Sequence, residues 1–164
     1  MDTLLQIIIK SENEMKKLGK MLSDIIKVKD VICMNGNLGA GKTYLSRSLI
    51  NNMTGILEVP SPTFNLVQTY PLYGSSINEI WHCDFYRLNE YDEVEEIGVF
   101  EDIKKKIIFI EWPKFIKEIN KYDPLNISIE INSSKKEEVS NIRTVNFFGS
   151  NAWKERILNS NITL

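Results

Sequence analysis

Eight residues constrain this chain more than any others: Gly36-Asn37-Leu38-Gly39-Ala40-Gly41-Lys42-Thr43 fits the pattern G-x-x-x-x-G-K-S/T at every fixed position. Each fixed position has a physical task. Glycines adopt positive φ and bring backbone N–H groups close around phosphate oxygens. The helix that should follow aims its positive end at the same anion. Lys42 can reach the β- and γ-phosphates, and the Thr43 hydroxyl can ligate Mg²⁺. The flanks agree. Val31–Met34 is a short, wholly apolar run of the kind that forms a buried parallel strand, and Leu45, Leu49 and Ile50 continue beyond the loop at helical spacing. A triphosphate site is expected, with Gly36, Gly39, Ala40, Gly41, Lys42 and Thr43 around the phosphates.

The rest of the chain reads as an α/β fold of the P-loop NTPase class, with a mixed, largely parallel central sheet flanked by helices. Leu4–Ile9 is a first strand. Ser11 then stands at an N-cap with Glu14 three residues on, a capping box, and Met15, Leu18, Leu22, Ile25 and Ile26 give the helix one apolar face. Leu66–Tyr73 and Ile77–Cys83 read as a pair of strands. Asn89–Glu101 is acidic and helical up to Gly98. Ile107–Ile110 is another buried strand, and Ile127–Ile131 and Arg143–Phe147 are two more, separated by a charged turn at 133–138. Trp153, Ile157 and Leu158 indicate a closing amphipathic helix. No repeat or linker divides the 164 residues, which are expected to form one domain, 1–164.

Composition narrows the class of protein. With 20 Lys and Arg against 22 Asp and Glu the net charge is −2, so no whole-chain basic field draws it onto nucleic acid; any contact with RNA is expected to be indirect. The single histidine, His82, excludes a multi-histidine metal site, and Cys33 and Cys83 read as reduced, buried thiols. No run approaches the roughly 20 apolar residues needed to span a membrane, and Leu4–Ile9 lacks a basic flank, so a cytoplasmic protein is expected.

A loop of this kind needs a carboxylate at the end of a neighbouring strand to hold the metal or orient an attacking water. Glu111 follows Ile107–Ile110 and takes the place of the usual Asp; Asp84 follows Ile80–Cys83. Glu111 is expected on Mg²⁺ and Asp84 on water or a mobile loop. Thr63, between Pro60, Pro62 and Phe64, is a third candidate, as a residue that senses the γ-phosphate. Asn120-Lys121-Tyr122-Asp123 imitates the guanine-reading N-K-x-D motif, but a helical segment precedes it where a buried strand should, and the chain has no D-x-x-G. It reads as a turn before Pro124, which leaves ATP as the nucleotide.

With these pieces in place the chain resembles the TsaE (YjeE) family of bacterial ATPases. The resemblance is carried by the glycine loop, Ser61-Pro62-Thr63-Phe64, His82-Cys83-Asp84-Phe85-Tyr86-Arg87-Leu88, Glu95-Glu96-Ile97-Gly98 and Ile110-Glu111-Trp112-Pro113, in order across positions 11–113. It implies an ATPase weak on its own that binds the TsaB–TsaD pair, in which TsaD transfers a threonylcarbamoyl group to adenosine 37 of tRNAs reading ANN codons. ATP turnover in the TsaE-like subunit resets that pair. By the same resemblance Thr43 and Glu111 are Mg²⁺ ligands, Gly39–Thr43 cradle phosphate, Lys42 and Asp84 serve hydrolysis, and Glu12 lies on the adenine side. The chain departs from the family in the turn before its last strand. Ser133-Ser134-Lys135-Lys136-Glu137-Glu138 replaces a glycine and an arginine that approaches the nucleotide, so that arginine stays unassigned. Asn37 and Tyr44 also depart, at positions occupied by Asp and a second Thr.

Two rival readings use the same loop. A small-molecule kinase would carry an arginine-rich lid, whereas Arg47, Arg87, Arg143 and Arg156 form no cluster in sequence. A nucleotide-dependent interaction module would hydrolyse little and could use some of Phe64, Tyr70, Tyr73, Phe85, Tyr86 and Trp112 as partner contacts, although core packing explains most of these aromatics.

Overall fold

The alternation of apolar runs and amphipathic stretches builds one seven-stranded sheet in the computed structural model, which describes residues 3–72, 74, 77–132, 142–160 and 162. In chain order the elements are β1 (Thr3–Ile9), α1 (Glu12–Ser23), β2 (Val31–Asn35), α2 (Lys42–Thr54), β3 (Val67–Pro71), β4 (Glu79–Asp84), α3 (Tyr91–Ile97), β5 (Lys106–Glu111), α4 (Ile116–Ile119), β6 (Leu125–Ile131), β7 (Arg143–Phe148) and α5 (Asn151–Leu158). The strand order is β1-β7-β6-β2-β5-β4-β3. Strands β6, β2, β5 and β4 run parallel, and antiparallel strands close both edges.

The central strands are hydrophobic on both faces because helices cover both. Residues 31–34 of β2 are all buried, and all six residues of β5 are. Alternate residues divide between two cores. Ile32 and Met34 join α1, α2 and α5 through Leu18, Leu22, Leu45, Leu49 and Trp153; Val31 and Cys33 join α3 and α4 through Val94 and Ile119. Gly19 lets α1 and α2 meet closely, since a Cβ there would run into the Ser48 side chain. The Ser48 hydroxyl in turn donates to Lys16 O at 3.0 Å.

The local expectations hold with adjustments, the first at element ends: α1 stops at Ser23 and leaves Ile25 and Ile26 beyond it, and β3 and β4 begin only at Val67 and Glu79. Ser11 caps α1 by accepting from Glu14 N at 3.2 Å, but the Glu14 carboxylate reaches past the cap to Lys10 N at 2.6 Å. The acidic helix is shorter than its composition: α3 spans seven residues and ends at Gly98 with φ 72°. Leu158 is exposed at 69 %, while Trp153 and Ile157 are buried; positions 153 and 157 share a face, and 158 turns a further ~100° away from it. Cys33 and Cys83 are free and buried, and burial pushes both thiols far above their ordinary range. The turn at 133–138 and Tyr73 lie outside the described residues. Among the described residues no helix is long and apolar enough to cross a membrane.

Candidate functional site

The parallel strands converge at their C-terminal ends on one cleft, as open α/β sheets do. Strand β2 delivers the glycine loop, and Gly36, Gly39 and Gly41 all take positive φ (149°, 75° and 114°). Gly36 has a second constraint: a Cβ there would collide with the carbonyl oxygen of Ile129 on β6. At Gly36 the loop therefore packs against the sheet with no room for a side chain. Helix α2 starts at Lys42, with left-handed Gly41 as its cap, so its unpaired N–H groups face the loop.

Lys42 is 5 % exposed and folds back over this loop. Its Nζ donates to Gly36 O at 2.7 Å and Asn37 O at 3.0 Å, and lies 3.8 Å from the centroid of Trp112. Burial lowers its pKa, opposed by the nearby carboxylates of Glu111 and Asp84. Trp112 keeps its ring there through a left-handed backbone, φ 57°, directly after β5.

The two carboxylates end neighbouring parallel strands and stand opposite each other in register. Glu111 is 2 % and Asp84 3 % exposed. On Glu111, Oε2 accepts from the Thr43 hydroxyl at 2.7 Å, and Oε1 faces His82 Nε2 at 2.8 Å and the Ser46 hydroxyl at 3.4 Å. On Asp84, Oδ2 accepts from the Thr63 hydroxyl at 2.8 Å and Oδ1 from Tyr86 N at 2.9 Å. Thr63 is thus brought to the site by its contact with Asp84, and its hydroxyl also lies 2.9 Å from that of Ser61.

The donors fit Mg²⁺. A hydroxyl and a carboxylate side by side are hard oxygen ligands, and Mg²⁺ keeps several waters and takes phosphate oxygens rather than a full protein cage. No group of three or more His, Cys, Asp or Glu among the described residues offers such a cage. Thr43 and Glu111 would hold the ion.

Two adjoining clefts share Gly39, Gly41 and Tyr44. The one holding Thr43, Thr63, Asp84, Glu111 and Trp112 has a volume of about 280 Å³. The other, about 360 Å³, is lined by Glu12, Met15, Ala40, Tyr44 and Arg143. The second lies beside the loop and mixes apolar side chains with charged ones. Glu12 stands at its wall.

Three residues here escaped the sequence reading. Arg143 begins β7, lines the second cleft and donates through Nε to Ala40 O at 3.1 Å; only the strand order brings it there. Ser46 could have been found, three residues after Thr43 on the same helix face. His82 shares a face of β4 with Asp84 by simple alternation. The N-K-x-D look-alike is a turn as expected: Asn120–Tyr122 forms one 3₁₀ turn ending at left-handed Asp123. The Asp123 carboxylate accepts from Ser150 at 3.0 Å, and its carbonyl accepts from the Trp153 indole N–H at 2.8 Å.

Comparison with known proteins places this arrangement. The model of the family described as "Threonylcarbamoyl adenosine biosynthesis protein TsaE" matches residues 9–142. Among curated relatives, the tRNA threonylcarbamoyladenosine biosynthesis protein TsaE of Rickettsia felis is 38 % identical over 76 % of this chain and 72 % of its own. That of Rickettsia typhi is 34 % identical over 85 % and 94 %, and that of Aquifex aeolicus 32 % over 85 % and 96 %. The crystal structure of Bacillus subtilis YdiB shares the fold, with a TM-score of 0.69 over 94 % of this chain and 91 % of that one at 22 % identity. The chain belongs to the TsaE family.

Proposed function

We propose that the chain is the ATP-binding and hydrolysing subunit that supports a TsaB–TsaD pair in forming N6-threonylcarbamoyladenosine at position 37 of tRNAs reading ANN codons. The tRNA step is supported by the names of the relatives, all tRNA threonylcarbamoyladenosine biosynthesis proteins. One observation carries the ATPase reading: Lys42, Thr43, Thr63, Asp84 and Glu111, from four separate stretches of chain, line one cleft at the glycine loop.

Each residue has a role in that reading. Backbone N–H groups of Gly39–Thr43 bind phosphate oxygens, and Gly36 permits the loop's close seat on β6. Lys42 exchanges its two loop carbonyls for β- and γ-phosphate oxygens. Thr43 and Glu111 hold Mg²⁺, which when bound neutralises charge developing on the transferring phosphoryl group. Asp84 accepts a hydrogen bond from the attacking water, and Thr63 closes on the γ-phosphate. Glu12, Tyr44 and Arg143 flank the adenosine.

Exposed apolar side chains near the site support a protein partner: Leu38 on the loop is 88 % exposed, Phe64 81 % and Tyr86 57 %. Net charge of −2 supports indirect rather than direct engagement of tRNA, and the cytoplasm, where tRNA is, is the proposed location. A phosphotransferase reading is disfavoured because the arginines form no cluster: Arg47 serves Val59 O, Arg156 serves Asp30, Arg87 lies over Phe64, and only Arg143 lines the cleft beside the loop. Phosphate release measured with and without purified TsaB–TsaD tests the proposal. Stimulation by the pair is expected; no stimulation, together with phosphoryl transfer to a small acceptor, would replace it with the kinase.

A further inference from the structure

His82 has no task in the chemistry above, yet its placement is costly. The ring is 0 % exposed and sits at the inner end of β4, with Ile80 and Asp84 on the same strand face. Its Nδ1 is buried with no hydrogen-bond partner among the described residues. Buried polar atoms are paired in the great majority of cases, so an apolar side chain would suit this position better if packing were the only requirement. Among the described residues the ring's one hydrogen bond is with Glu111 Oε1, at 2.8 Å. A carboxylate only accepts, so in that bond the proton is on Nε2.

The remaining contacts of Glu111 show what this bond adds. Oε2 is fixed by the Thr43 hydroxyl at 2.7 Å, which leaves the carboxylate free to swing about that point. On Oε1 the Ser46 hydroxyl is long, at 3.4 Å. The imidazole is therefore the short bond that fixes the second oxygen and, with it, the plane of the carboxylate. We infer that His82 is a positioning residue: it locks the rotation of Glu111 so that the carboxylate meets the nucleotide's divalent cation together with the Thr43 hydroxyl. Hydrogen-bond partners of ligating carboxylates commonly control metal affinity in this way, and losing one costs about 10–100-fold.

This inference rests on the reading that Thr43 and Glu111 hold the metal of a bound nucleotide, and its test separates the two. The affinity of the full chain for a fluorescent ADP analogue is measured with and without Mn²⁺, alongside Mn²⁺ binding by electron paramagnetic resonance. The variants are His82→Gln, His82→Asn and His82→Phe, each checked by thermal unfolding. The Gln amide nitrogen reaches about as far as Nε2, whereas the Asn amide stops near the position of Nδ1. In the parent chain Mn²⁺ should tighten nucleotide binding. His82→Asn and His82→Phe should lose about tenfold or more of that gain, with metal-free affinity unchanged within about twofold. His82→Gln should recover most of it. If all three variants keep the full gain, or if metal-free affinity falls equally, His82 serves only the fold and the inference is overturned. If the parent chain itself shows no gain with Mn²⁺, the metal reading fails and takes this inference with it. Should His82→Phe fail to fold, the contrast between Gln and Asn still decides.

Discussion

Glu111 and Asp84 end adjacent strands in register, equally buried, yet they are held by different kinds of structure. Among the described residues every side-chain hydrogen-bond partner of Glu111 stands on regular structure: Thr43 and Ser46 on α2 and His82 on β4. Asp84 is held from loops, by Thr63 between Gly55 and Leu66 and by Tyr86 N just beyond β4. Packed helices and strands keep a ligand within fractions of an ångström, whereas loop segments open at lower cost. In the proposed function the metal would therefore sit on the Glu111 side, and closure over the γ-phosphate would fall to the loop-held Asp84 side.

The largest effect expected from that contrast is at Glu111. Glu111→Ala should reduce phosphate release by at least about a hundredfold, since a lost metal anchor removes several kcal/mol of transition-state stabilisation. Nucleotide binding should stay within roughly tenfold, about 1.4 kcal/mol, because the loop amides and Lys42 remain. Phosphate release and titration with a fluorescent nucleotide read the two effects separately. If hydrolysis survived this change and Asp84→Ala abolished it instead, the roles of the two carboxylates would be reversed.

Thr63→Val tests the loop side. The swap keeps shape and removes the hydroxyl that donates to Asp84 Oδ2. Hydrogen bonds to charged groups are worth about 1.5–3 kcal/mol, so kcat should fall roughly ten- to hundredfold while affinity for Mg-ADP is unchanged. An affinity loss as large as the kcat loss would mean that this segment shapes the ground-state site and does not close on the transferring phosphate.

How far the sequence announced this contrast depends on the range of each signal. The glycine loop, β2 and β5 were legible because their signals are local: positive-φ glycines, and apolar runs of four residues bounded by turn residues. Both carboxylates were legible as acids at strand ends. Their partners were not, because the His82–Glu111 bond exists only when β4 lies beside β5, and nothing near either residue specifies that neighbour. Arg143 is a sharper case. It reaches Ala40 only because β7 crosses back between β1 and β6, a placement that belongs to the whole topology. Leu158 failed in the opposite direction, where a correct period was extended one residue past the buried face.

The smallest expected effect lies at the root of the loop-held side. Arg47, on the exposed face of α2, donates through Nε to Val59 O at 2.7 Å and ties the start of the Thr63 segment to the helix that carries Thr43. The segment's other end is already pinned, since Asp84 N donates to Leu66 O at 2.9 Å. Arg47→Met keeps most of the side chain's bulk and removes one partly solvated hydrogen bond, worth about 0.5–1.5 kcal/mol. If closure of the segment contributes to turnover, kcat should fall about two- to tenfold with Mg-ADP affinity unchanged, and the loss should shrink in the Thr63→Val background. Two changes acting on one closing segment are not additive. Full additivity of the two would separate Arg47 from Thr63 and confine the proposed closure to the few residues around Asp84.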